Sequence, residues 1–404
     1  MARNALIQVR RDTAANWTSV NPTLASGEIG LETDTGRYKI GNGSTPWNSL
    51  QISLKADELR LGNDYLTPYT GFRNAIINGD FRINQRAWSS SSTSATYGYD
   101  RWRVFHTGGT VAMSSQQFTV GSPAATGYES PNFVRLVTGG QSSSGDYSVL
   151  QQPIEDARTF ANSTVTISFW AKAASGTPKV AVELAQVFGT GGSPSADVNT
   201  LGGQVTLSTS WTRYSVTMTV PNVNGKTFGT TANTSSLNCN LWVSAGSTFN
   251  ARLNSIGTQN ATIDFWGVQV ERGSVATPFE QRPIQTELAM CQRYYEKSYA
   301  LATAPGTNTA AGLMLFFGTT AGSNTAQLVV RFLVPKRYTA YTVTGYNGFG
   351  NSGVWEYYRS GASNTSAGLT VDLQTEQSFR GYVETGAAYV AVQINAHWVC
   401  NAEF

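Results

Sequence analysis

Tyr214-Ser215-Val216-Thr217-Met218-Thr219-Val220 puts an apolar side chain at every second position, with hydroxyl residues between. A strand turns successive side chains to opposite faces, so this segment reads as one buried and one wet face of a sheet. The same beat recurs at Val165/Ile167/Phe169, Val180/Val182/Leu184 and Cys239/Leu241/Val243, and again at Leu328/Val330/Phe332/Val334 and Val390/Val392/Ile394/Ala396/Trp398. Around Ile263 to Val270 the apolar parity slips between Phe265 and Trp266, as a β-bulge would make it do. Strands at regular intervals with Gly, Ser and Thr turns between them predict a two-sheet sandwich, and residues 74–282 are long enough for one jelly roll with decorated loops.

Composition agrees. The chain has 404 residues, 40% hydrophobic and 13% charged, with a net charge of +3. Single cores rarely exceed about 250–300 residues, so several domains are expected. The aromatic share of 11% supplies apolar area enough to exclude disorder. A charge this small, spread along the chain, argues against a nucleic-acid or anionic-membrane partner. Cys239, Cys291 and Cys400 are odd in number and widely spaced; they fit neither a disulfide framework nor a metal pattern and are expected as buried thiols of a protein folded in a reducing cytoplasm. There is no signal-peptide pattern and no apolar run of the ~18 residues a membrane span needs.

Upstream, Glu28 to Glu32 and Arg37 to Ile40 read as a hairpin around Asp34-Thr35-Gly36, with Ile29, Leu31, Tyr38 and Ile40 on its apolar side. A module of residues 1–54 is too small to bury a stable core alone, which points to burial between copies of the chain. A connector at 55–72 leads to the jelly roll at 73–283. Residues 284–303 then carry a helix and linker, with Ile284, Leu288, Cys291 and Tyr295 at helical spacing across 285–298 and Pro283 just ahead. A last β domain fills 304–404.

The N-terminal residues Ile7-Gln8-Val9-Arg10-Arg11-Asp12 and Gly27-Glu28-Ile29-Gly30-Leu31-Glu32 through Tyr38-Lys39-Ile40-Gly41-Asn42-Gly43 resemble the N-terminal module of bacteriophage tail-fibre and tropism-determinant proteins. The opening Asn78-Gly79-Asp80-Phe81, the Tyr99-Asp100-Arg101-Trp102 strand, and the closing Trp266-Gly267-Val268-Gln269-Val270-Glu271 and Thr277-Pro278-Phe279-Glu280-Gln281-Arg282-Pro283 resemble carbohydrate-binding-module-like jelly rolls of phage tail proteins. The resemblance implies an all-β chain made of a small N-terminal β module, a central jelly-roll sandwich, one short helix and a C-terminal β-sandwich. It also implies a homotrimeric fibre that is a tail component of the virion, is assembled in the host cytoplasm, and has the phage baseplate and host surface polysaccharide as partners. The resemblance also implies that a structural calcium, often held by such jelly rolls between first and last strands on carboxylate and backbone oxygens, has a place here. Asp264 and Asp80 are the carboxylates in place for one, beside the plainer reading of both as strand or turn residues; no other cofactor is expected.

Groups suited to catalysis are sparse. His106 and His397 fit no metal spacing, and His397 reads as a satisfied strand residue. Asn224-Gly225-Lys226-Thr227 mimics the tail of a phosphate loop, but Val220 stands where the first glycine is needed. Asp80, Asp100, Glu155, Asp156 and Asp264 are the carboxylates that a polysaccharide depolymerase would have to pair. No catalysis is expected, with a depolymerase spike and a purely structural baseplate or decoration protein as the alternatives. Tyr338, Tyr341, Tyr346, Phe349, Trp355, Tyr357 and Tyr358 crowd one stretch among glycines, near Asn347, Asn351, Arg359 and Asn364. Sugar rings stack their apolar faces on aromatic planes while hydroxyls bond amides and arginine. Tyr346, Phe349, Asn351, Trp355, Tyr357, Tyr358 and Arg359 are therefore the expected ligand-binding residues, against the plainer alternative that the rings pack a core.

Overall fold

The computed structural model describes residues 9–51, 59–61, 64–66, 72–318, 324–359, 365–388 and 391–404. Ile7, Gln8, Asn364, Val390 and the side chains of the 55–71 connector lie outside the described residues. Two compact units divide the chain, Met1–Arg73 and Asn74–Phe404.

In the first unit, Arg10–Asp12 pairs in parallel with Ile29–Glu32, which pairs antiparallel with Tyr38–Ile40. Helix Ala14–Val20 is capped by the Thr13 side chain and brings Trp17 onto Trp47, the rings stacked at 4.1 Å and 15°. The expected apolar side of the hairpin is corrected here. Gly30, Glu32 and Lys39 are the buried positions, while Ile29 and Ile40 are 39% and 45% exposed. The reason is the tryptophan pair: a Cβ on Gly30 would meet Trp47 at 2.5 Å, and the Lys39 Nζ lies over the Trp47 ring while donating to the Trp47 carbonyl at 2.7 Å. Two indoles use the small face, so the aliphatic face is left outward.

In the second unit, two antiparallel six-stranded sheets form the jelly roll. One runs Thr212–Val220, Ser163–Ala173, Ala261–Arg272, Asn132–Gly139, Thr110–Gln117, Ser90–Ser91; the other runs Val198–Thr206, Lys179–Val187, Ser236–Ala245, Tyr147–Glu155, Arg103–Thr107, Thr96–Tyr97. Their facing sides bury Ile167, Phe169, Val182, Leu184, Leu241, Val243 and Phe265 among others. A bulge is present in the expected strand but two residues beyond the expected slip: Ser168 opposes Gln269 and Trp170 opposes Trp266, so Phe169 alone faces Gly267 and Val268. Gly267, at φ 63°, sits in it, and a Cβ there would meet Trp170 at 2.7 Å. The opening motif is structural too. Asn78 donates to the carbonyls of Ile83 and Asp100, and Gly79 lies so close to the Val268 carbonyl that a Cβ would stand 2.2 Å from it.

The C-terminal part is organised around Val392–Asn401, a central strand flanked by Met314–Gly318 and Val354–Arg359 in its first half and by Tyr295–Lys297 and Thr342–Tyr346 in its second. A three-stranded sheet, Thr325–Arg331, Ser378–Glu384 and Thr370–Thr375, closes over a core of Trp355, Phe379, Ile394 and Trp398.

Residues 284–303 depart from the expected helix and linker. The helix spans Ile284–Gln292 and buries Glu287 and Cys291, not an Ile284/Leu288 stripe, and Tyr295 already belongs to a strand. Glu287 is drawn in because it accepts from the Asn78 N–H and pairs with Arg282 at 3.4 Å. Helices also form at Ala14–Val20 and Asn250–Leu253, so the helix is not single. Burial pushes the Cys239 and Cys400 thiols up to about 12 and Cys291 well above its ordinary value; all three are free and buried.

Lys297 is a buried lysine whose Nζ donates to the carbonyls of Leu301 and Thr303 at 3.0 and 2.6 Å. Desolvation lowers its pKa from 10.5 to about 8, Asp100 opposing. Between those values the unfolded chain binds more protons than the folded one, so this site adds stability as pH rises through the window and loses it as pH falls to 8. Melting curves of the native chain and Lys297→Met should therefore diverge in the native chain's favour between about pH 8 and 10.5; parallel curves would show that Lys297 is not the titrating group.

Candidate functional site

The outward face of the jelly roll's second sheet is the candidate site. Glu183, Asn240, Gln151 and Arg103 lie in one register row across four adjacent strands. Side chains directly opposite on paired strands share a face, so the row is continuous. It is hydrogen-bonded end to end: Arg252 Nε and Nη2 donate to Glu183 at 2.6 and 2.8 Å, Asn240 Nδ2 donates to Glu183 at 2.8 Å, and Gln151 Nε2 donates to Asn240 Oδ1 at 2.8 Å. Arg103 Nε and Nη2 then donate to Gln151 Oε1 at 2.9 and 2.7 Å, and Nη1 donates to the Phe404 carbonyl at 2.6 Å.

The next row is apolar: Ala181, Trp242, Val149 and Phe105. Tyr147 and Phe249 complete an aromatic triad with Trp242, centroids 5.4–5.6 Å apart. Phe249 reaches the sheet because the turn at Ser247–Phe249 and helix Asn250–Leu253 fold back over it, anchored by Leu253. Trp242 is held flat by its Nε1 donating to Glu183 at 3.0 Å and by Arg252 stacked 4.9 Å above the ring. A groove of about 430 Å³ opens between the rows, with Tyr147, Phe105, Phe249, Asn238, Arg103 and Arg252 half-buried along it. Burial lowers the pKa of Arg103, which remains a cation.

Glu183 is fully buried and accepts four hydrogen bonds, one on Oε1 and three on Oε2, all from groups of the protein itself. It acts as the anchor that fixes the donors around it. The Asn240 and Gln151 amides are buried and each is oriented by its neighbour, while Asn238, Arg103 and Arg252 are the half-buried polar groups along the groove. Apolar ring faces beside preordered amides and two arginines form a surface able to take a sugar chain by stacking and hydrogen bonding.

The carboxylates singled out for catalysis are spread and occupied. Asp80 pairs with Arg82, Asp100 with Arg86 at 3.4 Å, Glu155 with Arg293 at 2.5 Å, Asp156 with Arg158 at 3.0 Å and Asp264 with Arg135 at 2.7 Å. A second cavity of about 270 Å³, lined by Glu155, Asp156 and the 229–235 segment, therefore presents acids already neutralised by arginines. The same pairing bears on calcium. Lys172 adds a second cation 3.7 Å from Asp264, and no cluster of three metal-ligating side chains occurs among the described residues.

The seven residues expected to bind ligand separate. Trp355 and Tyr357 are core residues, a correction: Trp355 is fully buried in a slot made by Gly345 and Gly381, its Nε1 donating to the His397 carbonyl at 2.9 Å. A ring enclosed on both faces has no face left for a sugar. Phe349 is 57% exposed on a turn built by Asn347, whose Oδ1 accepts from the Phe349 and Asn351 N–H groups. Tyr346 is half-buried against Tyr299, and Asn351 is exposed. Tyr358 and Arg359 line a separate concavity. His397 is satisfied, as expected, by Ser298 and Thr309 at 3.0 Å each. Sequence reasoning missed the groove because its aromatics, Phe105, Tyr147, Trp242 and Phe249, lie far apart in the chain. Polar residues alternating with core residues in Gln151 to Val149 and Asn240 to Trp242 were the available signal.

Comparison with known proteins places these elements. Residues 7–45 match the Major tropism determinant N-terminal domain family, and residues 73–236 match a Carbohydrate binding domain family. The chain thus carries an N-terminal stretch similar to tropism-determinant domains ahead of a jelly roll whose residues 73–236 are similar to carbohydrate-binding domains. No curated protein matches it. Similar solved structures include a putative sugar binding protein from Bacteroides thetaiotaomicron (15% identity, 50% of this chain and 100% of that one, TM-score 0.30). A family 11 carbohydrate-binding module from Clostridium thermocellum, in complex with a mixed-linked tetrasaccharide, is 9% identical over 47% of this chain and 99% of that one, TM-score 0.28. The enzymatically active domain of bacteriophage CBA120 tailspike protein 4 is 13% identical over 50% of this chain, TM-score 0.27, and the match spans 22% of its length. No helix among the described residues is long and apolar enough to cross a membrane.

Proposed function

We propose that this chain is a phage tail fibre protein that attaches to the tail or baseplate through its N-terminal domain and binds host surface polysaccharide without cleaving it. The carrying observation is the groove, in which a hydrogen-bonded row of Arg252, Glu183, Asn240, Gln151 and Arg103 runs beside an aromatic row, on a domain matched as carbohydrate-binding. Glycoside hydrolysis needs two carboxyl groups flanking the scissile bond; among the described residues none lining the groove is a carboxylate, and Glu183, at the end of the row, is fully buried and engaged by four donors. That supports binding over cleavage. Several copies per virion would turn modest single-site affinity into firm adsorption.

The fibre is a homotrimer on this reading. Support comes from the N-terminal unit, whose aliphatic hairpin face is outward in one copy, Ile29 and Ile40 being 39% and 45% exposed. Burying that face between copies supplies the core the module lacks; native mass measurement checks it.

The test is affinity electrophoresis through purified bacterial capsular and O-antigen polysaccharides. The native chain is retarded by at least one, with no reducing ends released. Tyr147→Ala loses about 2 kcal/mol, near thirtyfold, as for the central ring of a binding site, with little change in melting temperature. Reducing-end release, or equal mobility of the variant, would overturn the reading.

A further inference from the structure

The central strand of the C-terminal part sends Ile394, Ala396 and Trp398 into the core and, by strand alternation, Gln393 and Asn395 to the opposite face. On that face Phe317, Gln393 and Tyr358 stand in one register row across three strands, and Leu315, Asn395 and Glu356 stand in the next. Phe317 is 71% exposed and Tyr358 half-buried, and they share a concavity of about 340 Å³ with Gln393 and Arg359. The two ring-bearing strands are separated by two strand spacings, about 9.5 Å. The polar groups between them are set in place. Gln393 Nε2 donates to Asn395 Oδ1 at 2.6 Å, and the Tyr358 hydroxyl donates to buried Glu356 at 3.0 Å.

This face shares three features with the jelly-roll groove: a buried glutamate fixing a polar side chain, here the Tyr358 hydroxyl, two hydrogen-bonded amides, here on successive outward positions of one strand, and aromatic rings alongside. We propose that the Phe317–Gln393–Tyr358 face is a second polysaccharide-binding platform, seating an extended stretch of about two pyranose rings, one on each aromatic, with the Gln393 amide bonding hydroxyls between them. The proposal rests on the reading of the chain as a glycan-binding fibre protein and adds a site on a different domain. A ring-amide-ring row suits a sugar chain better than a second copy of this protein, because an interface between copies would bury the Gln393 amide against apolar side chains at a cost.

The experiment uses the full chain, the polysaccharide that retards it most, and a groove variant, Tyr147→Ala/Gln151→Ala. Residual polysaccharide binding by the groove variant should fall at least tenfold further on adding Phe317→Ala or Tyr358→Ala. Amide exchange in 313–318 and 392–396 should slow on adding polysaccharide to the groove variant and not to its Phe317→Ala derivative. The exposure of Phe317 makes misfolding an unsuitable explanation for that loss, and an unchanged melting temperature checks it. Unchanged residual binding and exchange would overturn the platform while leaving the groove standing. Loss of binding in the platform variants with full binding in the groove variant would overturn the groove and support the platform. A lower native mass for Phe317→Ala with unaltered polysaccharide binding would overturn the proposal in favour of a contact between copies. A native chain that binds no polysaccharide overturns both sites.

Discussion

Glu183→Ala is expected to abolish polysaccharide binding and to lower stability by about 3–5 kcal/mol, the range for breaking a buried, hydrogen-bonded charge pair. Four donors lose their acceptor at once: the Asn240 amide, the Trp242 indole N–H and two nitrogens of Arg252. Asn240 and Trp242 are buried, so neither can turn to water, and each unmet donor costs about 1–3 kcal/mol. Binding fails for a separate reason. Asn240 orients Gln151, and Gln151 orients Arg103, so the row loses its fixed end and its amides no longer present one hydrogen-bonding pattern. Glu183→Gln keeps the shape and one acceptor, and should fall between native and alanine in both readouts. Calorimetry and affinity electrophoresis well below the transition separate the two effects. Native-like binding by a folded Glu183→Ala protein would show that the row does not organise the groove.

The second large effect is expected at the seam between the jelly roll and the C-terminal part. Arg101 is fully buried and pairs with Glu403, whose carboxylate also lies 3.4 Å from Arg86. Tyr294 stacks on the Arg101 guanidinium at 3.4 Å, and Gln85 bridges Asp100 to the Tyr295 carbonyl. Farther along, Arg337 donates to the carbonyls of Ala402 and Glu403 at 3.1 and 3.0 Å. Glu403→Ala strands a buried guanidinium, at a cost of about 3–5 kcal/mol. The loss falls on the seam, so one cooperative unfolding transition should become two, with 304–404 melting first and turning protease-sensitive. Replacing both partners by apolar residues, Arg101→Met with Glu403→Leu, should restore more than half of the loss, because no uncompensated charge remains. A single unshifted transition in Glu403→Ala would show that the pair does not couple the two parts.

The seam also engages side chains within the segment expected as helix and linker. Residues 284–303 contain charged and tyrosyl side chains that look solvated in one dimension. Arg293, Tyr294 and Tyr295 are instead buried or paired by groups more than a hundred residues away: Glu155, Arg101 and Arg86. Likewise, the aromatic crowding at 338–358 carries no sign of which rings face inward. Trp355 is decided by two glycines, Gly345 and Gly381, only one of them nearby in sequence.

Period-two alternation, glycine-rich turns and the motifs at both ends of the jelly roll determine on their own an all-β chain with a small N-terminal module and a sandwich behind it. They also signal a bulge in the closing strand, though at Phe265-Trp266 rather than at Gly267-Val268 where it lies, because local pleat geometry writes itself into nearby residues. Register is different. The row Glu183, Asn240, Gln151 and Arg103 exists because four strands pair with particular partners, and hydrogen bonds between distant strands leave no local mark in the chain. Which face of the 29–40 hairpin turns inward was settled by two tryptophans stacking across it, and which aromatics keep an open face was settled by what covers their other side.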